Sequence, residues 1–324
     1  MRNFRIVGSM TTLPGRIHDI KNPINSILSQ SVKLDVLYLH IPLRTLKGKT
    51  YNIPEDFLSE YGDQVIINRI PHDFGPITKL APTLDLETDP NTYIITFDDD
   101  IMVNRRLVEA YMNKLALWPD TCLAMSGVCK GNTPFFFQFV VNNKEDHPVD
   151  WIQGVHTVMY KRSFFTTTDD LIRFESESPV GNILMFNDDH RVSLYLAWKG
   201  VPRVSMGYNI KDYLYKYTDK QPDSLSGQSS LIRDHYKIIE HYGGEGGIYG
   251  GVYKITSSIV FLGLLPIMIS GIVMILVISK GKNKLGIKKV TILGLIIGIV
   301  VFYFVYRHIR NMDIRQYNSV MDRM

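Results

Sequence analysis

Between residues 4 and 127, short apolar runs alternate with amphipathic ones, and this alternation constrains the fold more than any other feature of the chain. "FRIVGSM", "KLDVLYLHIP", "QVIINRI", "TYIITF" and "CLAMSG" have the length and apolar content of strands. Between them, "GRIHDIKNPINSILSQ", "PITKLAPTLDL" and "RLVEAYMNKLAL" repeat apolar residues at helical spacing. Pro76 stands at the opening of the second helix, where a missing N–H costs nothing. Strands that alternate with helices build a largely parallel sheet covered on both faces, because each crossover helix must lie against the sheet. The expected fold class is therefore α/β, with a mixed, mostly parallel Rossmann-like sheet and flanking helices. Ligands of such sheets bind beyond the carboxyl ends of the strands.

One of those ends carries an unusual run of charge. "YIITFDDDIMV" (93–103) leads an apolar strand into Asp98, Asp99 and Asp100, and no Lys or Arg follows until Arg105. Three adjacent carboxylates at the edge of a core require a cation. Side chains two apart on a strand share a face, so alternation puts Asp98 and Asp100 together and Asp99 opposite. Two oxygen ligands on one side suit a hard divalent ion, Mg²⁺ or Mn²⁺. Such sites use one or two carboxylates and leave other positions to water and substrate phosphates. A solvated acidic turn is the alternative, but the apolar strand feeding the triplet argues for a buried edge.

The C-terminal region is different in kind. Residues 255–279 run 25 positions without a charge, and 290–306 run 17 more. A membrane-spanning helix needs about 20 apolar residues, with about 17 as the lower limit. Core helices rarely reach such lengths without a polar face, so two transmembrane helices joined by a Lys-rich turn are expected. Gly294 and Gly298 offer a small-xxx-small contact between them. The expected organisation is a catalytic domain over 1–240, a Gly-rich linker over 241–252, a membrane hairpin over 253–306 and a basic tail over 307–324.

Charge follows the same division. Residues 280–289 carry five Lys and no acid, and the tail adds four Arg against two Asp. Without those seven net positive charges the formal +4 becomes −3, which leaves no nucleic-acid footprint on the main body. Cys122 and Cys129 provide neither a disulfide framework nor a metal-ligand spacing. Lysines in the turn favour a cytosolic turn, with the catalytic domain across the membrane. Against that, "RNFRIVGSM" has no apolar signal region, which favours a cytosolic catalytic domain and tail. We expect a multi-pass membrane protein with the latter orientation.

At this point the chain resembles the glycosyltransferases of the GT-A fold, whose D-x-D motif holds a metal and a nucleotide-sugar diphosphate. Six segments in order carry the resemblance, across residues 4 to 205: "SMTTLPGRI", "IPLRTLKGKTYNIPEDF", "HDFGPITKLAPTL", "IITFDDDIMV", "QGVHTVMYKRSFF" and "NDDHRVSLYLAWKG". Two positions depart from the pattern: His156 replaces a small residue and Arg191 replaces the usual Trp.

The resemblance implies a metal-dependent transferase that uses a nucleotide-sugar donor, UDP-linked in the first instance, with Mn²⁺ or Mg²⁺. It assigns Thr11, Thr12, Arg16, Lys79 and Asp98 to the donor, and Asp98 and Asp100 to the metal. Trp151, Gln153 and Gly154 fall on the acceptor wall, where the Trp either stacks on a sugar or belongs to the core. Asp188 and Asp189 precede an amphipathic run and so stand at a helix N-terminus. There a carboxylate is an N-cap or a catalytic base, and we expect one of each, with Asp189 as the base and Asp188 as its support. His235 and His241 are weaker candidates for a further metal ligand. With membrane spans beside the domain, the acceptor is expected to be lipid-linked or membrane-proximal. The rival classes are a degenerate GT-A-like membrane protein and a metal-dependent nucleotidyltransferase.

Overall fold

Thirteen strands appear in the computed structural model, which describes residues 3–130, 137–140, 144–216, 234, 237, 238, 241 and 242. In chain order they are β1 (Ile6–Thr11), β2 (Val36–Pro42), β3 (Val65–Ile70), β4 (Tyr93–Phe97), β5 (Ile101–Val103), β6 (Cys122–Ala124) and β7 (Gly127–Lys130), followed by β8 (Phe137–Val140), β9 (His147–Pro148), β10 (Trp151–Ile152), β11 (Val158–Lys161), β12 (Arg203–Ser205) and β13 (Leu214–Lys216). The helices are α1 (Lys21–Leu28), α2 (Thr83–Leu86), α3 (Leu107–Leu115), α4 (Thr168–Arg173), α5 (Gly181–Leu184) and α6 (Asp188–Trp198). These elements belong almost wholly to one unit, residues 1–129 with 138–241, and it is this unit that is described below. The expected membrane hairpin and basic tail, and all of the expected linker except His241 and Tyr242, lie outside the described residues. Among the described residues no helix is long and apolar enough to cross a membrane.

Eight strands form the main sheet in the order β3-β2-β1-β4-β11-β6-β12-β9. The first four are parallel, in the register that sets Val7 opposite both Val36 and Ile94. β6 and β12 are parallel as well. β11 enters between β4 and β6 and runs antiparallel to both, and β9 is antiparallel to β12. The sheet is thus mixed, with the parallel half built from the alternating segments of the sequence.

Period-two alternation sorts the strand residues onto two apolar layers. Ile6 and Met10, Leu37 and Leu39, and Ile95 and Phe97 pack with Ile24, Ile27, Leu107 and Tyr111 from the α1 and α3 side. Val7, Val36, Tyr38 and Ile94 pack with Ile77, Leu80 and Leu84, and with Val192, Tyr195 and Leu196 of α6. Burying each such side chain contributes roughly 1.5–3 kcal/mol, which holds helices on both faces.

Two expected helices are shorter than their periodicity suggested. The segment 15–30 is helical only over α1. The segment 76–86 splits into a 3₁₀ turn (Gly75–Lys79) and α2, with Pro82 at the N-cap of α2. Proline removes a ladder donor and disfavours helical geometry in the residue before it, so the two pieces separate at Ala81–Pro82.

The break places the end of the 3₁₀ turn over a buried polar layer. Ser9 Oγ donates to the Lys79 carbonyl, and Thr83 Oγ1 lies 2.6 Å from Ser9 Oγ and 2.7 Å from His40 Nε2. Asn68 Nδ2 sits 3.1 Å from His40 Nδ1 and completes the chain of contacts. Burial pushes His40 down to about 3, so the ring is neutral.

Candidate active site

In the parallel half of the sheet, β1 leads outward to β2 and β3 on one side, while β4 lies on the other. The strand order therefore reverses between β1 and β4, and a crevice opens at their carboxyl ends. Thr12 and Arg16 leave β1 there, and Asp98, Asp99 and Asp100 leave β4.

The acidic triplet is not part of the strand. β4 ends at Phe97, and Asp99 and Asp100 form a turn, so strand alternation does not apply to them. This corrects the expected pairing. Asp99 and Asp100 share one cation, Arg16, whose NH1 lies 2.6 Å from Asp99 Oδ1 and 3.2 Å from Asp100 Oδ2. Thr12 Oγ1 donates to Asp99 Oδ2 at 2.7 Å, and Tyr51 OH ties the loop by donating to the Thr12 carbonyl at 2.8 Å. Asp98 turns instead to Lys79, with Nζ to Oδ1 at 2.8 Å.

Lys79 also reaches Asp188 Oδ2 at 3.2 Å, so a single ammonium joins the two acidic clusters. Asp188 and Asp189 occupy the first turn of α6, but neither is its N-cap. Asn187 takes that position without a side-chain cap bond, its amide donating back to the Ile183 carbonyl at 3.0 Å, while Asp188 and Asp189 reach Lys79 and the Gly154 N–H. Asp189 Oδ1 accepts the Gly154 N–H at 2.7 Å. A Cβ at Gly154 would lie 2.7 Å from that oxygen and 3.1 Å from Lys79 Nζ, so the close approach requires glycine.

Five carboxylates thus meet two protein cations. Burial opposes the charge on Lys79, yet Asp188, Asp98 and Asp189 outweigh it and hold the ammonium well above its ordinary range. Arg16 is likewise raised, since Asp99 and Asp100 offset its burial. The acids are less well served. Burial raises Asp98 against the pull of Lys79, with the Asp100 charge adding to the rise. Burial and the Asp99 charge raise Asp100 against Arg16. Asp189 is pushed up to about 8 by burial and by its neighbour Asp188. The crevice is short of positive charge even with Arg16 and Lys79 in place.

A divalent cation fits that deficit. Lys79 bonds Asp98 through Oδ1 and Arg16 bonds Asp100 through Oδ2, so neither cation takes both oxygens of its carboxylate. Among the described residues no group of three or more His, Cys, Asp or Glu side chains is placed to hold an ion, so a metal here would draw its remaining ligands from water and substrate.

The other sequence candidates are placed less uniformly. Thr11 Oγ1 donates to the His40 carbonyl at 2.9 Å and braces β1 against β2 instead of joining the crevice. Trp151 is a core side chain, paired in β10 with Val128 and with its ring 5.0 Å from that of His190. Gln153 is buried beside Gly154, and its Oε1 has no hydrogen-bond partner. His156 is buried in contact with Ser126 Oγ and pushed by burial to about 4, and Arg191 is buried within α6. His235 lies outside the described residues. Sequence reasoning set Asp99 aside and did not see Tyr51. The apolar strand before the triplet was the available signal for Asp99, since a buried carboxylate needs a buried donor.

No protein-family model and no curated protein sequence matches the chain. Among solved structures, it is similar to GalNAc-T7 with UDP, GalNAc and Mn²⁺ at 10% identity and a TM-score of 0.47, covering 73% of this chain and 48% of that one. It is also similar to S. aureus TarS 1-349 in complex with UDP, at 10% identity and a TM-score of 0.42, covering 72% of this chain and 63% of that one. The chain thus spans about half the length of the first and under two thirds of the second. At these scores the overlap is one of backbone, partial in extent.

Proposed function

We propose that this chain is a metal-dependent glycosyltransferase of the GT-A type, moving a sugar from a nucleotide-sugar, UDP-linked in the first instance, to a lipid-linked or membrane-proximal acceptor. One observation carries the reading. Lys79 joins a strand-end triplet to a helix-start carboxylate pair at the topological switch point of a parallel half-sheet. A donor diphosphate brings negative charge to a crevice that holds Arg16 and Lys79, and Asp98 and Asp100 would hold the divalent ion. That ion, when bound, supplies charge to the departing diphosphate.

Asp189 is the base in this reading. It takes the proton of the acceptor hydroxyl as that oxygen bonds to the anomeric carbon and the bond to the diphosphate breaks. The Gly154 N–H orients the carboxylate, and Asp188 holds Lys79 between the two clusters. Gln153, next to Gly154 in the chain, falls on the acceptor side of this point. The catalytic domain and tail lie on the cytosolic face, with 255–279 and 290–306 as spans.

Release of UDP from a panel of UDP-sugars, with and without Mn²⁺, tests the proposal. No release from any donor overturns it. Release that ignores Mn²⁺ favours a second reading, in which Arg16 and Lys79 replace the ion on Asp100 and Asp98, and their ion pairs are the observation behind it.

A further inference from the structure

The carboxyl edge of the sheet carries more than the crevice. β2 leaves the sheet there and enters "LRTLKGKT" (43–50), a closed turn in which Thr45 N donates to the Lys49 carbonyl at 2.8 Å and Gly48 N donates back to the Thr45 carbonyl at 2.8 Å. Gly48 takes a φ of +76°, which favours glycine at such a turn. The turn is pinned beside the active site, because Leu46 N donates to Asp73 Oδ2 at 2.9 Å and the other oxygen of Asp73 accepts the Gly75 N–H at 2.9 Å. A Cβ built on Gly75 would lie 3.7 Å from Leu46 Cδ1 and 3.0 Å from the Met185 carbonyl, so Leu46 and the segment before α6 meet at the start of the 3₁₀ turn that carries Lys79.

Both segments expose apolar side chains. Leu43 and Leu46 are 53% and 47% exposed, and Met185 and Phe186 are 38% and 44% exposed. Single exposed apolar residues need no explanation, but here two in one turn and two in the segment that approaches it at Gly75 are exposed together. Arg44, Lys47 and Lys49 are exposed in the same turn, and no acid occurs between Leu43 and Pro54. Apolar side chains among bases, on a rigid turn, form a surface that matches anionic headgroups over acyl chains.

We propose that the turn 43–50 and Met185–Phe186 seat the mouth of the crevice on an anionic lipid bilayer. Leu43, Leu46, Met185 and Phe186 enter the headgroup boundary, and Arg44, Lys47 and Lys49 meet the lipid phosphates. The apolar runs at 255–279 and 290–306 tether the domain to the same membrane under the function proposed above. The contact presents the site to an acceptor whose reacting hydroxyl sits at the headgroup level.

The test uses the full chain with Cys129→Ser, reconstituted in vesicles and labelled with a small fluorophore at Leu46→Cys, at Phe186→Cys or at Leu117→Cys. Leu117 is 67% exposed and precedes β6, which runs in the direction of β4, so it marks the opposite edge of the sheet. Spin-labelled lipids in phosphatidylglycerol-containing vesicles should quench the labels at 46 and 186 several-fold more than the label at 117. Combined Arg44→Glu, Lys47→Glu and Lys49→Glu substitution should remove most of that difference. Equal quenching at the three positions, or quenching at none, overturns the proposal. So does a label at 46 that responds to added UDP and not to lipid, which would make the turn a donor lid. Because the readout needs no turnover, it is independent of whether UDP release is detected.

Discussion

The two acidic clusters of the crevice carry the same chemistry in unequal settings. Asp99 and Asp100 face an arginine whose buried guanidinium bridges both, and Thr12 adds a hydroxyl donor. Asp188 and Asp189 share one lysine with Asp98, and Asp189 has a single backbone N–H. The first cluster is braced as a platform, while the second contains a carboxyl poised near 8. A group that must accept and return a proton benefits from such poise, and a platform for phosphate and metal benefits from fixed positions. The difference separates holding from reacting.

Removing the shared cation should have the largest effect. Lys79→Met leaves Asp98 and Asp188 facing each other without an ammonium. Breaking a buried pair costs roughly 3–5 kcal/mol, lowered here by residual exposure of the acids, and urea unfolding measures it. UDP release should vanish as well. Near-native stability with intact release would mean that the clusters do not depend on Lys79.

Asp189→Asn sharpens the comparison from the other side. It should lower transfer by about 10²–10⁴-fold while UDP affinity stays nearly unchanged, because a base acts in the chemical step. A carboxyl raised to about 8 is mostly protonated at pH 7, so wild-type transfer should climb as pH rises toward and through 8. The variant should lack that limb. A limb that survives the Asp189→Asn substitution assigns the titration to another group, with Asp188 first in line.

Asp100→Ala should abolish Mn²⁺-dependent UDP binding, read by calorimetry with and without the ion. Its effect on the apo fold should be small, since Asp99 keeps Arg16 and the loss of one like charge relieves the turn. Unchanged metal dependence would remove Asp100 from the metal.

The smallest effect concerns pH and stability, where the two kinds of buried group have opposite signs. His40 and His156 fall to about 3 and about 4 from an ordinary 6.5, so between those values the native state binds fewer protons than the unfolded chain. Their contribution is present above 6.5 and is lost as pH falls toward 4. Asp189 runs the other way, costing stability as pH rises from 3.8 toward 8. His40→Asn should flatten the acid side of the stability profile between pH 6.5 and 4. An unchanged slope would show that His40 takes up no proton on unfolding.

The sequence by itself determined the parallel half of the sheet, the strand that delivers Asp98, and the placing of Asp188 and Asp189 in the first turn of a helix. Each of these is a local matter of period, length and end chemistry, which neighbouring residues decide together. Only the tertiary structure decided that β11 runs antiparallel between β4 and β6, because period reports which face a side chain takes and not which strand lies beside it. It also supplied the cations that the triplet required. Arg16 lies 83 residues before Asp99, and Lys79 comes from a helix that Pro82 cut short. Charge is neutralised through space, by whatever the fold brings within about 3 Å, and for that reason a run of three aspartates states a requirement without naming the groups that meet it.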